Sequence, residues 1–206
     1  MEPFRRVTGI AAPMPAANFD TDVIMPKQFL KGIDRSGLAE GVFHHLRFDE
    51  EGAPRPAFIL NRPPWTQARF LVVGPNFGCG SSREHAVWGL AQLGVRALVG
   101  TSFGGIFFDN CARNGLLAIA AEAELVETLQ ARAADPETAL ITIDLERQLI
   151  LADGLSAPFE VEPQRRRALL EGLDAVGVAL RRAGEIRDFE ARHFARSPWL
   201  RPSRGV

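Results

Sequence analysis

Residues 69–73 (RFLVV), 95–99 (VRALV) and 116–120 (LLAIA) form short, almost continuous apolar runs, separated by stretches with helical spacing over 84–93 and 106–113. A run that is apolar at nearly every position reads as a strand buried on both faces. Strand, loop, helix and strand in this rhythm predict parallel strands joined by crossover helices. The expected fold is therefore α/β, with a partly parallel sheet flanked by helices.

The remaining segments extend that plan. Residues 7–12 read as a first strand, and 13–26 as a loop broken by prolines and Asx residues. Residues 27–48 carry weak helical signals interrupted at Gly32, Gly37 and Gly41, followed by a Pro/Gly-punctuated stretch over 49–64. A helix is predicted over 122–134, antiparallel strands over 140–143 and 148–151, and a short strand over 159–161. From about residue 163, spaced apolar residues from Leu169 to Phe189 predict two or three short surface helices. The length fits one domain over residues 1–206, which needs neither disulfides nor metals to bury its core.

Composition narrows the function classes. With 24 Lys+Arg against 25 Asp+Glu the chain offers no basic surplus for nucleic acid, and RNA binding is the weakest reading. Cys79 and Cys111, 32 positions apart, make neither a disulfide framework nor a zinc pattern, and two thiols do not ligate an iron–sulfur cluster. No apolar run approaches the roughly 20 residues of a membrane span, and Pro13, Pro15 and Asn18 interrupt any leader-like stretch, so a cytoplasmic location is expected.

Chemistry concentrates in residues 76–85 (NFGCGSSREH), after the second strand and ahead of a helix. Glycines there let the backbone approach a ligand, and the helix N-terminus adds free N–H donors for an anion. The stretch is neither a Walker loop nor a dinucleotide fingerprint. Ser81 with Glu84 also matches the S-x-x-E capping box, so the spacing alone leaves a purely structural role for Ser81 open. Two hydroxyls, a guanidinium, a carboxylate and an imidazole within 81–85 exceed what capping requires, and Arg83 suits a carboxylate clamp. Asn18, Asp20 and Asp22 imitate a calcium loop, but Val23 and Phe29 stand where Gly and Glu are needed, which leaves an Asx-turn network. His44, His45 and His193 lack ligand spacing, and Arg165–Arg167 reads as a solvated run.

Taken together, NFDTDVIMPKQFL (18–30), NFGCGSSREHAVWGL (76–90) and SFGGIFFDNCARNGLL (102–117) resemble the small subunits of 3-isopropylmalate dehydratases, the detached swivelling domain of the aconitase superfamily. The likeness runs through residues 5–120 in order and spacing, and residues 172–177 with the following helices resemble the family's C-terminal end. It implies a swivelling β/β/α domain and isomerisation of 2-isopropylmalate to 3-isopropylmalate by dehydration and rehydration, in leucine biosynthesis. It also implies a large-subunit partner carrying a four-iron four-sulfur cluster, with no cofactor or metal in this chain, in keeping with the cysteine count.

By the same resemblance Ser81 is the base that removes the C–H proton next to a carboxylate, and Asp22 is the active-site aspartate. Ser82 and Arg83 align with substrate carboxylate and oxyanion contacts, Thr21 helps place Asp22, and Glu84 and His85 support the loop. Residues 28–38 resemble the specificity loop, where Leu30, Ile33 and Leu38 are apolar candidates to meet an isopropyl group and Arg35 is a candidate for carboxylate. The chain departs from the family at Met25, Ser36, Gly104–Gly105 and Ala112–Arg113. These departures keep open a relative acting on citramalate, homocitrate or another small 2-hydroxy dicarboxylate, since a methyl-scale change of pocket needs few substitutions. A non-catalytic module using residues 78–83 only to hold an anion is the alternative from another class.

Overall fold

The three apolar runs lie side by side as parallel strands. The computed structural model describes residues 1–31, 35–81 and 83–201. Strands β1 (Arg6–Met14), β2 (Ala68–Val73), β3 (Ala97–Gly100) and β4 (Leu117–Ala120) are joined by β5 (Leu140–Asp144), β6 (Leu149–Ala152) and β7 (Leu155–Pro158). They make one seven-stranded sheet in the order β4-β3-β2-β1-β5-β6-β7. Strands β1 to β4 are parallel to one another, and β5, β6 and β7 extend β1 in antiparallel fashion. The α/β expectation with a partly parallel sheet holds.

Alternate residues of β2 explain why its sequence is apolar throughout. Leu71 and Val73 enter one buried cluster, with Ile24, Met25, Phe43, Phe77, Leu90 and Phe107. Phe70 and Val72 enter the other, with Ile119, Ile141 and Ile143. Helix α5 (Ala123–Ala133) covers the second face through Val126, Leu129 and Ala133. Each such fully buried apolar side chain contributes about 1.5–3 kcal/mol. The first face is covered by α3 (Glu84–Gln92), α4 (Gly105–Arg113) and the irregular chain of residues 15–65.

Two sequence expectations need correcting. The segment 13–26 is not all loop, because it contains the one-turn helix α1 (Thr21–Ile24). Asp20 is extended and its Oδ1 accepts from Val23 N at 2.7 Å, so the Asx residue expected to make a turn caps a helix instead. Met25, immediately before Pro26, returns to extended backbone and ends it. The strand expected over 159–161 lies earlier, as β7, because Asp153–Gly154, with Gly154 at φ +65°, turns the chain back directly after β6.

The weakly helical residues 27–48 resolve, where described, into short 3-10 turns at Lys27–Leu30 and Leu38–Glu40 and a single α turn, α2 (His44–Arg47). The C-terminal helices appear as α6 (Pro163–Glu171), α7 (Ala175–Leu180) and α8 (Ala183–Arg196). Glu162 caps α6 by accepting from Gln164 N and Arg165 N, and these bonds hold its carboxyl below the usual carboxylate range. The arginine run fastens α6 to the body: Arg165 pairs with Asp109 and Arg166 donates to the carbonyls of Leu145 and Glu146. On α7 and α8, Val176, Leu180 and Phe189 are each at least 60% exposed, and Trp199 beyond them is 77% exposed. No described helix is long and apolar enough to cross a membrane.

Candidate active site

Three loops leave the carboxyl ends of β1, β2 and β3, the side on which open α/β sheets carry their ligands. Each begins with a related dipeptide, Asn18–Phe19, Asn76–Phe77 and Ser102–Phe103. Both asparagines take left-handed backbone, at φ 60° and 58°, a conformation Asn tolerates better than most residues. Asn76 Nδ2 donates to Asn18 Oδ1 at 2.8 Å, and Asn76 N donates to Ser102 Oγ at 2.9 Å. Isolated parallel bridges pair Asp20 with Cys79 and Phe77 with Phe103. The loops thus continue the order of the sheet beyond its edge.

This second tier locates residues 78–83. Gly78 N donates to Phe19 O at 2.7 Å, and Thr21 N donates to Cys79 O at 2.9 Å. Thr21, 1% exposed, donates its hydroxyl to Ser81 O at 2.7 Å. Helix α1 therefore grips the loop at two carbonyls, and Ser81, whose side of the turn is open, is exposed. Gly80 stands at φ +87° beside Asp20, a backbone conformation that Gly adopts without penalty.

Arg83 is the N-cap residue of α3 and has extended backbone. Its guanidinium donates to Asp22 Oδ1, which pairs two of the residues singled out from sequence. The arginine side chain is 13% exposed and that of Asp22 is 45% exposed. The pair lies at the margin of the site, where a cation already held by one carboxylate retains N–H groups for a second anion.

The capping-box alternative for Ser81 is overturned. Helix α3 starts at Glu84, its N-cap Arg83 makes no side-chain cap bond, and Ser81 precedes the cap by two residues. Glu84 is engaged elsewhere, accepting from Asn114 Nδ2 at 2.8 Å, while Asn114 Oδ1 accepts from Trp88 Nε1 at 2.8 Å. His85 packs against Trp88 with ring centroids 4.8 Å apart. These contacts give Glu84 and His85 places in the frame behind the loop.

The remaining candidates are spread more widely. Leu30 is half-buried against the first apolar cluster, and Leu38, at 4% exposure, lies within it, so its side chain packs the core rather than facing an open site. Arg35 is exposed, with its Cζ 4.0 Å above the Trp88 ring. Ile33 and Ser82 lie outside the described residues. Sequence reasoning missed the asparagine contacts and the role of Asn114. The repeated Asn-Phe after successive strands was the signal available for the first.

An iron–sulfur cluster does not fit this chain. Cys111 is fully buried in α4, and burial pushes its thiol well above the ordinary cysteine range, the reverse of a ligand thiolate. Among the described residues no group of three or more His, Cys, Asp and Glu side chains is arranged to hold a metal ion. Iodoacetamide at neutral pH is accordingly expected to label Cys79 alone in the folded chain and both cysteines after denaturation, as read by mass spectrometry. Equal labelling of Cys111 in the native protein would contradict the packing of α4.

The aconitase C-terminal domain family model matches residues 1–124, and the model for the C-terminal domain of 3-isopropylmalate dehydratase small subunits matches residues 176–203. The 3-isopropylmalate dehydratase small subunit 1 of Mannheimia succiniciproducens is 55% identical over 201 residues, covering 98% of this chain and 100% of the relative. The chain belongs to the 3-isopropylmalate dehydratase small-subunit family. Small subunit 2 of Salmonella typhimurium is 51% identical, with 98% of this chain and 97% of that one covered. Among solved structures, a 3-isopropylmalate dehydratase chain from Methanocaldococcus jannaschii aligns with TM-score 0.65 and 26% identity, over 90% of this chain and 99% of that chain. This family's fold therefore accounts for the parallel half of the sheet, and the family model of its C-terminal domain falls on α7 and α8.

Proposed function

We propose that this chain is the small subunit of a heteromeric hydro-lyase that converts 2-isopropylmalate to 3-isopropylmalate by dehydration and rehydration, serving leucine biosynthesis in the cytoplasm. The observation that carries the reading is the near-complete, end-to-end match to relatives named as small subunits of that enzyme. In the proposal one domain, residues 1–206, works only with a large subunit. That partner brings a four-iron four-sulfur cluster, which this chain's two cysteines do not hold. The exposed apolar residues of α7 and α8 support the need for a partner surface.

Within this reading Ser81 Oγ takes the proton from the carbon next to a substrate carboxylate. The hydroxyl leaves the adjacent carbon as water, and rehydration places it on the neighbouring position. A serine acts as a base only where its alkoxide is stabilised, and the start of α3 with Arg83 two residues away supplies positive potential for that purpose. Asp22 orients Arg83 through their ion pair, and Arg83 with Ser82 binds a substrate carboxylate. Thr21 fixes Ser81 through its carbonyl. Arg35, Leu30 and Ile33 contribute from the segment that selects the substrate side chain.

Anaerobic co-expression with the cognate large subunit, followed by rates on 2-isopropylmalate, citramalate and homocitrate, tests the proposal. Clear preference for 2-isopropylmalate by the complex, with no turnover by the isolated chain, is the expected result. Preference for another of these acids would keep the mechanism and change the substrate. Activity or cluster absorbance from the isolated chain would overturn the division of labour.

A further inference from the structure

We infer that Gln92 and Trp88 are positioning residues that set which substrate side chain the site accepts, by holding the 35–38 limb of the segment between Asp22 and α3. The inference rests on the proposed reaction. Beyond α1 the chain passes through the Lys27–Leu30 turn and comes back against α3 at Arg35 and Leu38. The segment therefore starts beside the Asp22–Arg83 pair and returns onto the helix that Arg83 caps.

Gln92 grips the returning limb through both ends of its amide. Nε2 donates to the Arg35 carbonyl, and Oε1 accepts from Leu38 N at 2.9 Å. One side chain thus satisfies a donor and an acceptor of the limb, as a neighbouring strand would. Trp88, one turn earlier on the same face of α3, places its ring 4.0 Å below the Arg35 guanidinium. The Trp88 ring is itself fixed by the bond from Nε1 to Asn114, which also donates to Glu84. Glu84, Trp88 and Gln92 stand at i, i+4 and i+8, so a single row of side chains runs from the catalytic end of α3 to the limb.

A methylene-scale difference in a pocket gives about 10- to 200-fold discrimination, which a small displacement of a lining segment is enough to erode. Gln92→Met keeps the length and apolar stem and removes both bonds. In the complex with the large subunit, its KM for 2-isopropylmalate is expected to rise about five- to tenfold with kcat within twofold. The preference over citramalate should fall by the same factor. Trp88→Leu is expected to act in the same direction, whereas a purely structural role would lower thermal stability and leave the ratio of the two KM values unchanged.

A second measurement does not depend on the reaction. Trypsin cleavage after Lys31 and Arg35, both exposed, should accelerate about three- to tenfold in full-length Gln92→Met, with other sites unaffected. Equal cleavage rates, or an unchanged substrate preference in an active complex, would overturn the inference. A wild-type complex silent on both acids would instead count against the proposed reaction, and the cleavage rates would still decide whether Gln92 holds the limb.

Discussion

Ser81→Ala is expected to reduce turnover of the assembled complex by about 10²–10⁴-fold, the contribution usual for a positioned base, while assembly and thermal stability stay as in the wild type. The separation of the two effects follows from the structure. The Ser81 side chain is exposed, and the loop is held there through the backbone carbonyl that accepts from Thr21, which alanine retains. Steady-state rates on 2-isopropylmalate with size-exclusion analysis of the same preparation measure both. Turnover within a fewfold of wild type would remove Ser81 from the chemistry. If Arg83→Ala at the same time abolished binding of the dicarboxylate, the anion-holding alternative would be favoured.

Gly78→Ala is expected to destabilise the chain by about 2–5 kcal/mol, from left-handed strain and from overpacking together. Gly78 stands at φ +74°, and a Cβ there would lie 2.2 Å from Phe107 Cγ and 2.8 Å from Phe107 Cβ. Phe107 is 3% exposed and packed in the first apolar cluster, so its ring has little room to give way. At about 2–4 °C per kcal/mol for a chain of this size, the midpoint of thermal unfolding should fall by roughly 5–15 °C. Gly105→Ala is the control, because nothing lies within 4 Å of its added Cβ. A midpoint for Gly78→Ala within 2 °C of wild type would show that the turn tolerates a side chain and that α4 does not back the catalytic loop tightly.

The two substitutions separate what residues 76–83 do as chemistry from what they do as geometry. Gly78 lets the loop lie directly on α4, and Gly104 approaches equally closely from the other side, since its Cβ would meet Gly78 O at 2.4 Å. Ala is familiar at this position in the family. Here the approach of the two backbones leaves no space for it without a shift of the loop.

Much of the parallel half was legible from sequence because burial on both faces leaves a local signature. Residues 69–73, 95–99 and 116–120 are apolar for that reason, and the strands formed where those runs stand. The loop at 76–85 was legible because close backbone approach demands glycine, and its polar residues are too many for a cap alone. Local pattern misled where a single side-chain bond decided the outcome. Asp20 makes a helix of residues read as loop, and Arg83, not Ser81, begins α3.

Sequence by itself thus determined the layered α/β plan, the place of the functional loop and the identity of Ser81, Asp22 and Arg83 as candidates. Only the tertiary structure decided that Asp22 and Arg83, 61 positions apart, form an ion pair. It alone showed that Thr21 holds the Ser81 carbonyl and that Leu38 is core. It alone placed Arg35 against Trp88, with Gln92 clasping the chain on either side of Gly37. The physical reason is one of range: burial and backbone conformation impose constraints that each residue's neighbours in the chain already display. A hydrogen bond between residues far apart in sequence depends on where the packed sheet brings two loops together.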